Sequence, residues 1–174
     1  AKITGIKMCE SYNIQYKTNY KCLMPTNTFG PNDNYDALNS HFLPALIKKV
    51  HDLKLNNKKE LILWGNGLAK REVIYVDDLA DACIFFMKKN FFGTILNIGT
   101  GKDFSIKQYA KIILNKIIPK NKIKIRYDLS KPNGTPRKVL DIKLANKYGW
   151  KPKTKLDEAI TKTYKNFLEN NKIV

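Results

Sequence analysis

The spacing of apolar residues changes segment by segment along this chain, from the three- and four-residue steps of a helix to the continuous or alternating runs of a strand. Lys2 to Tyr16 carries Ile3, Ile6, Cys9 and Tyr12 or Ile14 at helical steps, and Tyr20 to Met24 then reads as a strand that stops at Pro25. Gly30-Pro31-Asn32-Asp33 is a turn. Helical spacing returns from Phe42 to Leu55, with Pro44 tolerated in the first turn and Ser40 or Asn39 as the expected cap. Strands follow at Leu61 to Trp64 and Glu72 to Val76, then a helix opened and capped by Asp77-Asp78 whose apolar face is Leu79, Cys83, Phe86 and Met87. Beyond Gly93 come a strand from Thr94 to Ile98 and a helix from Ser105 to Lys116, capped by Ser105. An alternating strand from Ile123 to Tyr127, a Pro- and Gly-rich loop from Ser130 to Arg137, and a last helix from Leu156 to Leu168 complete the pattern. Helices and strands that alternate without an internal repeat predict an α/β fold.

Composition narrows the class. The 174 residues are 43% hydrophobic and 11% aromatic, enough apolar surface for a core and unlike a disordered chain. No run approaches the roughly 20 apolar residues that cross a bilayer. Ala1-Lys2-Ile3 also lacks the charged-then-apolar start of a secretory signal, so a cytoplasmic protein with no membrane partner is expected. Cys9, Cys22 and Cys83 are odd in number, widely spaced and form no CxxC pair, which indicates neither a disulfide framework nor a metal site. A formal charge of +17 raises nucleic acid as a partner. Against it, the cations are nearly all Lys mixed with Asn, and Arg, the residue suited to bidentate recognition, occurs only at Arg71, Arg126 and Arg137. No GxGxxG loop marks a dinucleotide site directly.

Short motifs carry more information. Met24-Pro25-Thr26-Asn27 with Phe29-Gly30-Pro31, Trp64-Gly65-Asn66-Gly67, Arg71-Glu72 and Val76-Asp77-Asp78-Leu79-Ala80 together resemble the extended short-chain dehydrogenase/reductases. Within that group, Asn39 to Leu46, Ser130 to Lys138, Leu144 to Trp150 and Tyr164 to Asn171 resemble the GDP-L-fucose synthase family, so that the match runs almost end to end. The resemblance implies a Rossmann-type NADP(H)-binding domain, a smaller α/β domain for a GDP-sugar, and a homodimer. It implies epimerisation of GDP-4-keto-6-deoxy-D-mannose at C3 and C5 and NADPH-dependent reduction at C4. The chain resembles the C-terminal half: residues 1–38 as the last part of the Rossmann domain, 39–72 as a substrate-binding segment, 73–101 as the return to the Rossmann sheet, and 102–174 as the substrate-binding C-terminal region. The family's catalytic Tyr, Ser and Cys and its glycine-rich loop are then expected upstream of residue 1, and the chain by itself is expected to lack reductase activity.

Site residues follow by the same resemblance. Lys2 matches the lysine of the YxxxK pair, which holds the nicotinamide ribose. His41 matches the active-site histidine taken as the acid in epimerisation, a role for which an imidazole is chemically suited; it is counted with the cofactor residues as well. Pro25, Thr26, Asn27 and Thr28, read as a loop at the carboxyl edge of a parallel strand, correspond to contacts with the nicotinamide end of NADP. His51 matches no motif and is expected at the surface. For the substrate, Lys49 corresponds to a basic contact to nucleotide or sugar. Trp64, which by residue type either stacks on a base or plugs a core, corresponds to a residue of the GDP-sugar site. Arg71 corresponds to a diphosphate clamp, where an ion pair with Asp77 or Asp78 is the alternative. Asn133 stands where the family commonly has a substrate-associated Asp, and Lys138 matches a substrate-contacting lysine.

The helix Lys2 to Tyr16 corresponds to one that pairs across the dimer in such reductases, so the chain without an upstream partner helix is expected to dimerise weakly or dissolve poorly. The alternatives are another nucleotide-sugar epimerase or dehydratase, against which Asn39 to Leu46 argues, and a basic nucleic-acid-binding module.

Overall fold

The computed structural model describes residues 1–36, 39–91, 93–120 and 122–170. Along the chain these form α1 (Lys2–Tyr16), β1 (Cys22–Pro25), β2 (Asn27–Phe29), α2 (Phe42–Leu55), β3 (Glu60–Trp64), β4 (Lys70–Tyr75) and α3 (Val76–Lys88). Then follow β5 (Ile95–Ile98), β6 (Asp103–Ser105), α4 (Ile106–Ile117), β7 (Lys124–Asp128), β8 (Arg137–Lys138), α5 (Lys143–Lys147) and α6 (Leu156–Asn170). The mixed α/β pattern expected from periodicity is present. β1 pairs in parallel with β5, β2 with β4, and β3 with β7; β4 also takes β6 antiparallel and β8 parallel.

β4 is the seam of the molecule. Side chains alternate across a strand, so Val73 and Tyr75 join the apolar cluster of α2, α4, β3 and α6, while Ile74 joins a second cluster with Ala82, Phe86, Leu96, Ile98 and Trp150. Ile74 is fully buried, and truncating such a side chain to Ala typically costs about 2–5 kcal/mol. α4 begins with a complete capping box: the Ser105 hydroxyl accepts from Gln108 N, and the Gln108 side chain accepts from Ser105 N.

Several local expectations are corrected. The stretch read as a loop at Pro25 to Thr28 is the hinge between β1 and β2, with Thr26 alone outside a strand, because the chain changes partner from β5 to β4 there. α2 is capped by His41 rather than Ser40 or Asn39, through the His41 carbonyl, which accepts from Ala45 N. α3 turns Ala82 and Phe86 inward with Leu79 packed beside them, as expected for Leu79 and Phe86, and leaves Cys83 and Met87 of the expected apolar face exposed. Tyr75 is its N-cap, and buried Asp78 accepts from Lys153 N, Thr154 N and the Thr154 hydroxyl instead of capping its own helix. His51 is 2% exposed, not a surface residue: it sits against Tyr164 and Phe167, with Nδ1 3.0 Å from the Tyr164 hydroxyl. α1 has no buried residue, and Ile3, Met8, Tyr12, Ile14 and Tyr16 are exposed.

Candidate functional site

Two pockets receive the residues singled out in the sequence. The first is an open cleft of about 590 Å³ that brings Lys2 at the start of α1, the β1–β2 hinge from Pro25 to Thr28, His41 at the N-terminus of α2, and Lys138 to Leu140 to one place. The hinge is tied from behind. Thr26 N donates to the Ile98 carbonyl at 3.0 Å, and the Thr26 hydroxyl and Asn27 amide donate to the Glu72 carbonyl at 3.2 and 2.8 Å. These bonds leave the open side of the hinge toward the cleft, at the C-terminal end of parallel β1, the edge at which α/β sheets take dinucleotides.

The second pocket, of about 380 Å³, joins Lys49 of α2, Trp64 at the end of β3, Arg71 of β4 and Asn133 of the 130–137 loop over a floor that includes Phe42, Leu46 and Leu63. Trp64 is 57% exposed, so it does not plug the core. The Lys49 ammonium lies 5.1 Å and the Lys131 ammonium 5.6 Å from its ring, both within cation–π range. Desolvation lowers the Lys49 pKa below the ordinary lysine value. Arg71 donates through Nη1 to the carbonyls of Lys70 and Thr135, at 2.7 and 2.6 Å, rather than to Asp77 or Asp78. Asn133 Oδ1 accepts from Asn66 N at 2.7 Å, and Gly65 permits this approach: it has a φ of 64°, and a Cβ there would stand 2.5 Å from the same oxygen. The Ser40 hydroxyl, buried in the pocket wall, has no hydrogen-bond partner among the described residues.

The structure therefore separates the substrate candidates. Lys49, Trp64, Arg71 and Asn133 converge, whereas Lys138 lies in the first cleft with Lys2 and His41. Both pockets border the same two segments, residues 40–42 and 132–140. Sequence reasoning missed Ser40 as a pocket residue and Lys131 as a cation beside Trp64, although both stand inside quoted motifs, and it missed the buried carboxylate of Glu72. A charged residue beside the apolar run Val73-Ile74-Tyr75 is the signal that points to Glu72, since such a group needs partners once buried. Among the described residues no group of three or more His, Cys, Asp or Glu side chains could hold a metal ion, and no helix is long and apolar enough to cross a membrane.

The chain is similar to known proteins over nearly its whole length. It is 45% identical to "Probable GDP-L-fucose synthase 1" of Oryza sativa subsp. japonica over 170 residues, which is 98% of this chain and 51% of that protein. It is 40% identical to the GDP-L-fucose synthase of Escherichia coli (strain K12), with 98% of this chain and 55% of that one covered. The chain thus spans about half the length of the curated relatives it matches. Among solved structures, a GDP-D-glycero-L-gluco-heptose synthase from Campylobacter jejuni, determined in the presence of NADPH, superposes with a TM-score of 0.83 at 34% identity, covering 97% of this chain and 58% of that one. The sequence pattern of the NAD dependent epimerase/dehydratase family matches residues 1–99, more than half of the chain, and the chain belongs to that family.

Proposed function

We propose that this chain is the GDP-sugar-binding half of an NADPH-dependent epimerase and reductase that converts GDP-4-keto-6-deoxy-D-mannose to GDP-L-fucose. The observation that carries the reading is the meeting of Lys49, Trp64, Arg71 and Asn133 in one pocket whose edges continue into the cleft of Lys2, the 25–28 hinge and His41. An exposed indole flanked by two ammonium groups is a stacking platform for a base or sugar with cations at hand for a diphosphate. Arg71, once its Nη1 is engaged with Thr135, keeps further donors for the diphosphate, and the Ser40 hydroxyl, without a partner among the described residues, offers a polar contact in the same wall.

The first cleft suits the nicotinamide end of NADPH, because the hinge residues Pro25 to Thr28 line one opening at a sheet edge together with the cationic residues Lys2 and Lys138. Bound there, NADPH supplies the hydride for reduction at C4. Lys2 would hydrogen-bond the nicotinamide ribose and His41 would deliver a proton to the sugar carbon beside the ketone during epimerisation. Lys138, in the same cleft, would contact the sugar side of the substrate. Residues 1–38 and 73–101 form the dinucleotide side of this division and 39–72 and 102–174 the sugar-nucleotide side; most members of the two apolar clusters follow it, while Ala145 and Trp150 in one cluster and Phe29, Val73 and Tyr75 in the other reach across. The exposed apolar residues of α1 support a homodimer of the full-length enzyme, placed in the cytoplasm.

Calorimetric titration of the chain with GDP at moderate salt, beside AMP and a single-stranded oligonucleotide, tests the reading. Saturable binding near one GDP per chain that exceeds AMP is expected. Salt-sensitive oligonucleotide binding without GDP preference would overturn it in favour of a nucleic-acid module.

A further inference from the structure

Glu72 is fully buried on β4 and lines neither pocket, yet its hydrogen bonds reach both walls of the first cleft. Its Oε1 accepts from Thr100 N at 2.5 Å and Gly101 N at 2.7 Å, with the Thr100 hydroxyl at 3.4 Å, and its Oε2 accepts from Leu140 N at 2.7 Å. Its own carbonyl oxygen accepts from Thr26 and Asn27 on the opposite wall. A carboxylate removed from water is retained when hydrogen bonds replace its hydration, and here the donors come from two separate segments, residues 100–101 and residue 140. Gly99 makes the approach possible, since a Cβ there would collide with Glu72 Oε1.

The neighbouring residue completes the arrangement. Arg71 and Glu72 project from opposite faces of β4 and grip the same segment at two points, Arg71 at the Thr135 carbonyl and Glu72 at Leu140 N. Between those points Lys70 N donates to the Pro136 carbonyl, and β8 pairs with β4. This segment forms the Asn133–Gly134 edge of the second pocket and the Lys138–Leu140 wall of the first.

We propose that Glu72 is a positioning residue that holds the Lys138–Leu140 wall against the Thr26–Asn27 wall and thereby sets the width of the cleft for the nicotinamide end of the cofactor. The proposal rests on the functional reading above for the identity of the ligand. Glutamine is nearly the same shape but has one acceptor oxygen, and its amide nitrogen would meet a backbone N–H donor to donor. Glu72→Gln in the 174-residue chain is therefore expected to speed amide exchange tenfold or more at Thr100, Gly101 and Leu140, and to leave Leu61 and Ile113 in the other cluster unchanged. In the full-length enzyme, NADPH affinity is expected to fall at least tenfold while GDP affinity stays within twofold.

Unchanged exchange at those three amides overturns the proposal, as does a uniform rise across the chain, which marks a merely structural role. Exchange needs no ligand, so a wild-type chain that binds no GDP sinks the functional reading and leaves Glu72 judged on its own. If the variant fails to fold, hydrogen-bond scalar couplings from the Glu72 carboxyl carbon to the three amide nitrogens of the wild-type chain decide: their presence supports the clamp, and their absence overturns it.

Discussion

The two pockets share borders but are built by different means. The second has an apolar floor from α2 and β3, an aromatic platform, and polar residues fixed by bonds within the wall, as Asn133 is by Asn66 and Arg71 by Thr135. The first is wider and has little floor; it is gathered from residues near 2, 26, 41 and 139, and its shape depends on hydrogen bonds made behind it by β4. A preformed apolar site with few fixed polar groups holds a ligand tightly, whereas a polar cleft defined by its supports aligns one. Under the proposed function, this contrast would make the second pocket the source of affinity for the sugar nucleotide and the first the source of orientation for the chemistry.

The largest break in that contrast is expected from Trp64→Ala. Base-on-aromatic stacking is worth about 1–3 kcal/mol, so GDP affinity should fall roughly 5- to 150-fold in calorimetry. The indole is exposed at the end of β3, so the fold should survive its removal, and NADPH binding should not change. Equal loss of both ligands would show that the two pockets are not separate in function.

How legible each region is in the sequence follows the same division. α2 is readable to the residue because its apolar steps are regular and its Pro falls in the first turn, and with it comes the frame for Lys49. The motifs group Lys2, the 25–28 stretch and His41 correctly into one cleft, but no spacing rule can place Lys138 there, because its position depends on β8 pairing with β4. Glu72 is visible as half of a motif and as a charge beside an apolar run, but its partners at Thr100, Gly101 and Leu140 are not, since nothing in one dimension brings those amides to it. His51 is misplaced by sequence reasoning because its burial comes from Tyr164 and Phe167, more than a hundred residues away.

His51 supplies a control that should weaken both pockets together. It lies on the buried side of the helix that carries Lys49 and that His41 caps, and burial lowers its pKa below the ordinary 6.5, with Lys48 and Lys54 acting in the same sense and Asp52 opposing them. With a depressed folded-state pKa, the unfolded chain binds the proton first as pH falls. Stability is therefore intact above pH 6.5 and is lost as pH descends through the folded-state value. The thermal midpoint should decline over that window in wild type, and His51→Gln, which takes no proton, should flatten this part of the profile. A profile of identical slope in the variant would assign the acid sensitivity to other groups.

The smallest effect expected sharpens the contrast rather than breaking it. Asn133→Asp keeps an oxygen for Asn66 N and Gly65, so the wall of the second pocket should hold its shape. What changes is the second side-chain atom, which passes from an amide donor to an anionic acceptor able to receive the N–H groups of a guanine edge. Hydrogen bonds to a charged acceptor are worth about 1 kcal/mol more than neutral ones, so preference for GDP over ADP should rise about fivefold with NADPH binding unaltered. If the Asn133→Asp variant instead binds GDP and ADP more tightly or more weakly alike, residue 133 shapes the wall through Asn66 and does not read the base. The second pocket would then owe its selectivity to Trp64 and its neighbours alone.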